Sequence, residues 1–301
     1  MASNTKHELV SVKFFTTGTV QLRPSMKSQP IENKFALLRQ IRALADSGWS
    51  EELPIAAFII SHPDGPILFD TGESPLWNDT GYVRSWYPTR RLIKVNIQPG
   101  DCILAQLRNA GLDPTDLQAI VLSHLHGDHA GGLGPLVFAA PNVPIYISRE
   151  HWEKFGKRPF WASLNGCNPQ HWPKPFSPII LDYTDGAVGP WQSSCNITSD
   201  GKVVAVDTSG HVPGHLSLIV AGDNADGTQA TYFLAADATY SLDQLNAEHP
   251  DGINGDPQRA LQTMKRIKSF AEAQDVVVLP SHDRETRSML ENKRVYKPKA
   301  L

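Results

Sequence analysis

Residues 123–132 read Ser-His-Leu-His-Gly-Asp-His-Ala-Gly-Gly and follow directly on the short apolar run 117–122. An apolar run of that length, with turn residues on both sides, is the pattern of a strand buried on both faces. Three imidazoles and a carboxylate then fall within six residues: His124, His126, Asp128 and His129. Alternate residues of an extended segment share a face, so His124 and His126 point together. Gly127 lets the chain turn sharply and send Asp128 and His129 elsewhere. One stretch can thus serve two adjacent metal ions. Imidazole and carboxylate suit zinc, with iron, manganese and cobalt as alternatives. Four ligand-type residues at the end of a buried strand argue against a histidine-rich surface loop.

Further ligands must come from distant sequence. Residues 210–215, Gly-His-Val-Pro-Gly-His, sit between two strand-like runs and offer His211 and His215. The apolar run before Asp237 ends in that carboxylate, and another ends just before His282. Taken singly, each could cap or satisfy local backbone. Together, each placed where a strand meets a loop, they supply what a site on the rim of a sheet requires.

The rest of the chain alternates between two periods. Strands are expected over 10–15, 54–61, 66–70, 144–148, 203–206, 216–221, 231–236 and 276–279. Helices are expected over 33–46, 101–110, 150–157 and 257–273. His62-Pro63-Asp64-Gly65 supplies turn chemistry between the second and third strands. This alternation implies an α/β fold with sheets packed on each other and helices outside, here taken as one domain over 1–301. Residues 158–178, rich in proline and aromatics, read as a long structureless loop, which in a compact domain is usually functional.

Composition narrows the function. Of 301 residues, 41% are hydrophobic and 20% charged, with a net charge of −3. That balance lacks the basic face of a nucleic-acid binder. No apolar run approaches the length of a membrane-spanning helix. The first eight residues carry no apolar signal core, and the last three are not a peroxisomal address. Three scattered cysteines, Cys102, Cys167 and Cys195, read as reduced thiols, so a cytoplasmic enzyme is expected.

The order His-x-His-x-Asp-His, then a later His, a later Asp and a last His, resembles the metallo-β-lactamase superfamily. Asp70-Thr71-Gly72 after a strand is similar to that family's early Asp-Thr-Gly element. The likeness runs from about Leu53 to Asp283 and is nearest to the N-acyl homoserine lactone lactonases. Leu53-Pro54, Gly65-Pro66-Ile67-Leu68 and residues 210–215 resemble segments of those enzymes. The resemblance implies an αββα four-layer sandwich. It also implies two divalent cations, zinc by first choice. His124, His126 and His215 would hold the first and Asp128, His129 and His282 the second, with Asp237 bridging them. His211 would then be a supporting histidine, and Asp70 would orient a ligand. Asp128, Asp237 and Tyr240 would act on the substrate, Tyr240 matching the tyrosine those lactonases place over it.

The expected chemistry is attack on a carbonyl by a hydroxide shared between cations about 3.5–4 Å apart. The expected substrate is a small cyclic ester, with N-acyl homoserine lactone as the precedent. The alternative is a lactam or cyclic carbamate such as a benzoxazolinone-type bicycle. A non-haem iron oxidoreductase and a metal-free binding protein are the other classes weighed. Gly127 stands where those lactonases mostly carry a bulky residue, so the expected pocket admits a wide, flat ring. Phe160, Trp161 and Trp172 are expected to cover it, with Trp77, Trp86 and Tyr87 nearby; the same aromatics could instead serve the core or a homodimer interface.

Overall fold

In the computed structural model, residues 9–31, 35–224 and 226–299 are described. The expectations on the opening eight residues, on the start of the first helix at Asn33 and on the last two residues lie outside them. Seven strands form the first sheet: β1 (Ser11–Leu22), β2 (Leu53–Ser61), β3 (Ile67–Phe69), β4 (Ile93–Asn96), β5 (Ala119–Val121), β6 (Ile145–Ser148) and β7 (Ile179–Leu181). Their order is β4-β1-β2-β3-β5-β6-β7. The second sheet runs β12-β11-β10-β9-β8, from β8 (Cys195–Asn196), β9 (Val203–Asp207), β10 (Leu216–Asp223), β11 (Gln229–Ala236) and β12 (Val276–Pro280).

The near-continuous apolar run of β2 has a direct cause. Phe58 and Ile60 face the second sheet and pack with Leu218, Val220 and Leu234. Ala57 and Ile59, one residue out of phase, pack under the helices Ile103–Asn109 and Leu133–Ala139. A strand with both faces covered has no solvent side to carry polar residues. In β11, Tyr232 and Leu234 face the first sheet, while Phe233 and Ala235 pack against Met264, Ile267 and Phe270 of helix Pro257–Ala273. The layers are therefore helix, sheet, sheet, helix, as the resemblance implied. That last helix has the bounds expected of it: Asp256 caps its N-terminus by accepting from the Arg259 N–H, and Pro257 opens it.

Two of the departures from expectation have a clear physical cause. β1 extends seven residues beyond 10–15, because it pairs with β4 as well as β2. An irregularity between Thr16 and Thr19, at Gly18 (φ +110°), bends it between the two partners. The segment 158–178 is not structureless. It holds the helix Pro159–Leu164 and the 3-10 turn Pro169–His171. Its backbone is tied to the histidine-rich segment, with Gly127 N–H donating to Gly166 O at 3.2 Å and a bridge between His126 and Cys167.

Candidate metal centre

Parallel pairing aligns the ends of β3 with β5 and of β11 with β12. The residues just past those ends converge on one rim: Asp70, His124 and His126, Asp237 and His282. His211 arrives from the β9–β10 connection. Two of the strand exits are strained. Asp70 (φ +61°) and Ala236 (φ +45°) adopt the left-handed region without being glycine, at a cost of order 1–3 kcal/mol each. The short helix Gly127–Ala130 opens right after His126, which turns Asp128 and His129 away from it.

Two groups of ligand-type atoms result. His124, His126, His211 and Asp237 form one, and Asp128, His129 and His282 the other. Asp237 lies between them. Its Oδ2 is 4.0 Å from His124 Nε2 and 3.5 Å from His211 Nε2. Its Oδ1 is 3.2 Å from His129 Nε2 and 3.3 Å from His282 Nε2. His282 Nε2 also lies 3.5 Å from Asp128 Oδ2, and His211 Nε2 lies 3.0 Å from His126 Nδ1.

Four of the rings follow one rule: Nδ1 is tethered and Nε2 points inward. The tethers are Ser123 Oγ for His124 (2.9 Å), Asp70 Oδ2 for His129 (2.8 Å), Asp251 Oδ2 for His211 (3.1 Å) and Pro54 O for His282 (2.8 Å). Asp70 is itself fixed, accepting from the Ser123 N–H (2.7 Å) and hydroxyl (2.8 Å). Such tethers fix the tautomer and aim the free nitrogen, as in metal sites.

The donor set fits cations. His124 Nε2 is buried without a hydrogen-bond partner, and His129 Nε2 and Asp237 Oδ1, although 3.2 Å apart, make no aligned hydrogen bond; buried polar atoms left so are costly unless something binds them. Burial holds His124 and His126 well below the usual imidazole range, so their lone pairs are available. Burial also opposes charge on His129 and His282, but Asp237 and its neighbouring carboxylates overcome it and raise both. The carboxylates thus draw positive charge into the cluster, a demand that a divalent ion would meet.

The ligand set implied by resemblance needs one correction. His215 does not join the first group, and His211 does. His215 Nε2 accepts the Asp237 N–H at 3.2 Å, and its Nδ1 pairs with the Thr208 hydroxyl at 2.8 Å. Both ring nitrogens are spent on holding β11's end against the β9–β10 connection. Two histidines four residues apart in a loop look alike until their partners are known. Asp251, absent from the sequence reading, is the carboxylate that aims His211. Replacing Asp251 by alanine is expected to weaken retention of the first cation about 10–100-fold, measured by competition with a chelator. Unaltered retention would show that His211 needs no such support.

Beside these groups lies a cavity of about 470 Å³, lined by Trp77, Trp161, Tyr240, Glu73, Gly127 and Asp128 among others. Tyr240 is buried, its ring centroid 5.2 Å from that of His282 and 5.8 Å from that of His211. Of the three aromatics expected to cover a substrate, Trp161 lines the cavity. Phe160, the next residue back along the helix Pro159–Leu164, points to solvent, and Trp172 is buried in the core against Phe176. Trp86 is exposed, and Tyr87 is buried with its hydroxyl on Ser163. Gly127 does not simply widen the pocket. A Cβ there would sit 2.4 Å from Glu73 Oε2, so the glutamate already claims that space. Glu73 went unremarked in the sequence, although it directly follows Asp70-Thr71-Gly72.

Comparison with known proteins identifies the family and fold. The sequence profile of the Metallo-beta-lactamase superfamily matches residues 51–282. N-acyl homoserine lactonase AttM of Agrobacterium fabrum is 25% identical over 252 residues, covering 82% of this chain and 88% of its own. N-acyl homoserine lactonase AiiA of Bacillus thuringiensis subsp. kurstaki is 29% identical over 237 residues, covering 77% and 82%. A crystal structure of a B. thuringiensis AiiA variant with N-decanoyl-L-homoserine at its active site superposes with a TM-score of 0.65 at 25% identity, covering 93% of this chain and 96% of its own.

Proposed function

This chain belongs to the metallo-beta-lactamase superfamily, and from that premise we propose that it is a metal-dependent hydrolase that opens a small lactone ring. N-acyl homoserine lactones are the nearest precedent, being the substrates named for its lactonase relatives. The observation that carries the reading is Asp237, whose two oxygens face two separate histidine groups at the edge of an aromatic-walled cavity. The residues proposed to hold the two cations are His124, His126 and His211, then Asp128, His129 and His282, with Asp237 between them. Zinc is the proposed metal, by its match to imidazole and carboxylate donors.

Cations bound there supply Lewis acidity and lower the pKa of water to roughly 7. The protein's own groups do the rest. Tyr240 is placed over both histidine groups, and burial, with Asp251, Asp237 and Asp128 nearby, holds its phenol well above the usual range. It therefore keeps its proton and can donate a hydrogen bond to an oxyanion developing on the substrate carbonyl. Asp128 lines the cavity and is the better carboxylate to pass a proton to the leaving oxygen. Asp237 has an oxygen turned to each histidine group and so is a poor base. Trp77 and Trp161 offer apolar surface to the ring or its acyl substituent, and exclude water from it.

The cytoplasm is the proposed site of action. The three cysteines are free, and no helix among the described residues is long and apolar enough to cross a membrane.

The deciding experiment is hydrolysis of a panel of aliphatic lactones and aromatic lactams by protein of measured metal content. Ring opening of lactones that requires the metal supports the reading. Turnover of lactams alone, or oxygen uptake with bound iron, would replace it. Within that assay, Tyr240→Phe is expected to lower kcat about 100-fold with a smaller change in KM, the effect of losing one oxyanion donor. Equal losses in kcat/KM and 1/KM, with kcat intact, would instead make Tyr240 a binding residue.

A further inference from the structure

Glu73 is the cavity's unexplained group. It sits three residues past the strained exit of β3, fully buried, and its carboxyl is wedged against the helix Gly127–Ala130. A Cβ on Gly127 would lie 2.4 Å from Glu73 Oε2, and one on Gly131 would lie 2.3 Å from Oε1. Two glycines four residues apart thus open the groove that holds this side chain. Oε1 accepts the Ser74 N–H at 2.8 Å, while Oε2 has no partner. Among the buried side-chain atoms without a partner in the described residues, only those of Glu73 and Asp237 belong to residues that line the cavity. Asp237 is accounted for by the histidine groups. Glu73 is not, since it belongs to neither.

A buried, unpaired carboxyl oxygen beside a largely apolar cavity is costly, and a hydrogen-bond donor on a ligand would match it. Its position beside Gly127, between His126 and Asp128 in sequence, places that donor close to the reacting carbonyl. Resting on the lactonase reading above, we propose that Glu73 is a specificity-determining residue. It accepts a hydrogen bond from an N–H or O–H carried next to the scissile carbonyl. The preferred substrates are then rings with such a donor: α-amido or α-hydroxy lactones, and cyclic carbamates with a ring N–H. Plain alkyl lactones fit the cavity but leave Oε2 unmatched. This role also accounts for Gly127, since a side chain there would displace the carboxyl.

The test compares an α-acylamino-γ-butyrolactone with its N-methylated analogue, which keeps the carbonyl and chain but lacks the donor. Metal content and melting temperature are measured on every protein. The natural chain should favour the donor-bearing ring roughly 10–100-fold in kcat/KM, mostly through KM, as expected when one buried hydrogen-bonding group is matched rather than left unpaired. Glu73→Gln puts an amide N–H2 where Oε2 was, so the ratio should fall towards one with metal content retained. Gly127→Ala, which leaves Glu73 in place but pushes its carboxyl aside, should lower the ratio as well. A natural chain that opens both rings equally overturns this proposal and leaves the lactonase reading standing. A ratio that persists in Glu73→Gln while both rates fall together also overturns it, because the residue would then only support the fold. A chain that opens neither ring overturns both readings.

Discussion

His211→Ala should lose one of two cations, whereas His215→Ala should retain both. Each is a buried imidazole in the same connection, so the two variants differ in what the ring does rather than where it sits. His211 turns Nε2 toward His126 and Asp237 from an Nδ1 anchored on Asp251. Its loss removes a donor from the first group, and kcat/KM should fall about 1,000-fold or more, beyond the 10–100-fold typical of an outer partner. His215 holds the Asp237 N–H and the Thr208 hydroxyl. Its loss leaves those groups unpaired and should lower stability by about 1–3 kcal/mol, read from urea denaturation. Plasma mass spectrometry of dialysed protein counts the metals. One cation in His215→Ala and two in His211→Ala would restore the assignment implied by resemblance.

Asp237→Ala should have the larger effect, with both cations lost together. Among the described residues, only Asp237 has an oxygen turned toward each group. Removing it deprives both of a donor, and loss of several kcal/mol of Lewis-acid stabilisation corresponds to about 1,000-fold or more in rate. The metal-free form should suffer too. Burial opposes ionisation of Asp237, but His129 and His282 overcome it and hold the carboxyl well below its usual range. Without that carboxylate, two raised histidines lose their counter-charge in a buried place, a loss of about 3–5 kcal/mol when such a pair is broken. Asp128→Ala, by contrast, should cost only the second cation. Loss of one metal from each variant would show that Asp237 belongs to a single group.

Much of this site was legible because it is local. The segment 123–132 carries its meaning in its spacing: alternation aims His124 and His126 together, and Gly127 begins the turn that separates Asp128 and His129. β5 could be read as a buried strand because both its faces are covered, which leaves no polar alternation along it. The helix Pro257–Ala273 was expected over those residues, and Asp256 and Pro257 fix its start. The segment 158–178 misled because proline and aromatic content marks irregular backbone without saying what it packs on. Here Trp172 enters the core and Gly166 holds the Gly127 N–H.

The sequence alone determined the layered fold and pointed to the strand ends where the candidate metal-binding residues gather, six of which fall in the two clusters of the structure, since these depend on period, spacing and order along the chain. Tertiary structure decided between His211 and His215, because a ring's direction is set by partners that are distant in sequence: Asp251 for one, Thr208 and the Asp237 amide for the other. It alone decided the place of Glu73 as well. A glutamate after Asp-Thr-Gly is unremarkable until two glycines of the remote segment 127–131 make room for its carboxyl and leave one buried oxygen unpaired at the cavity's edge.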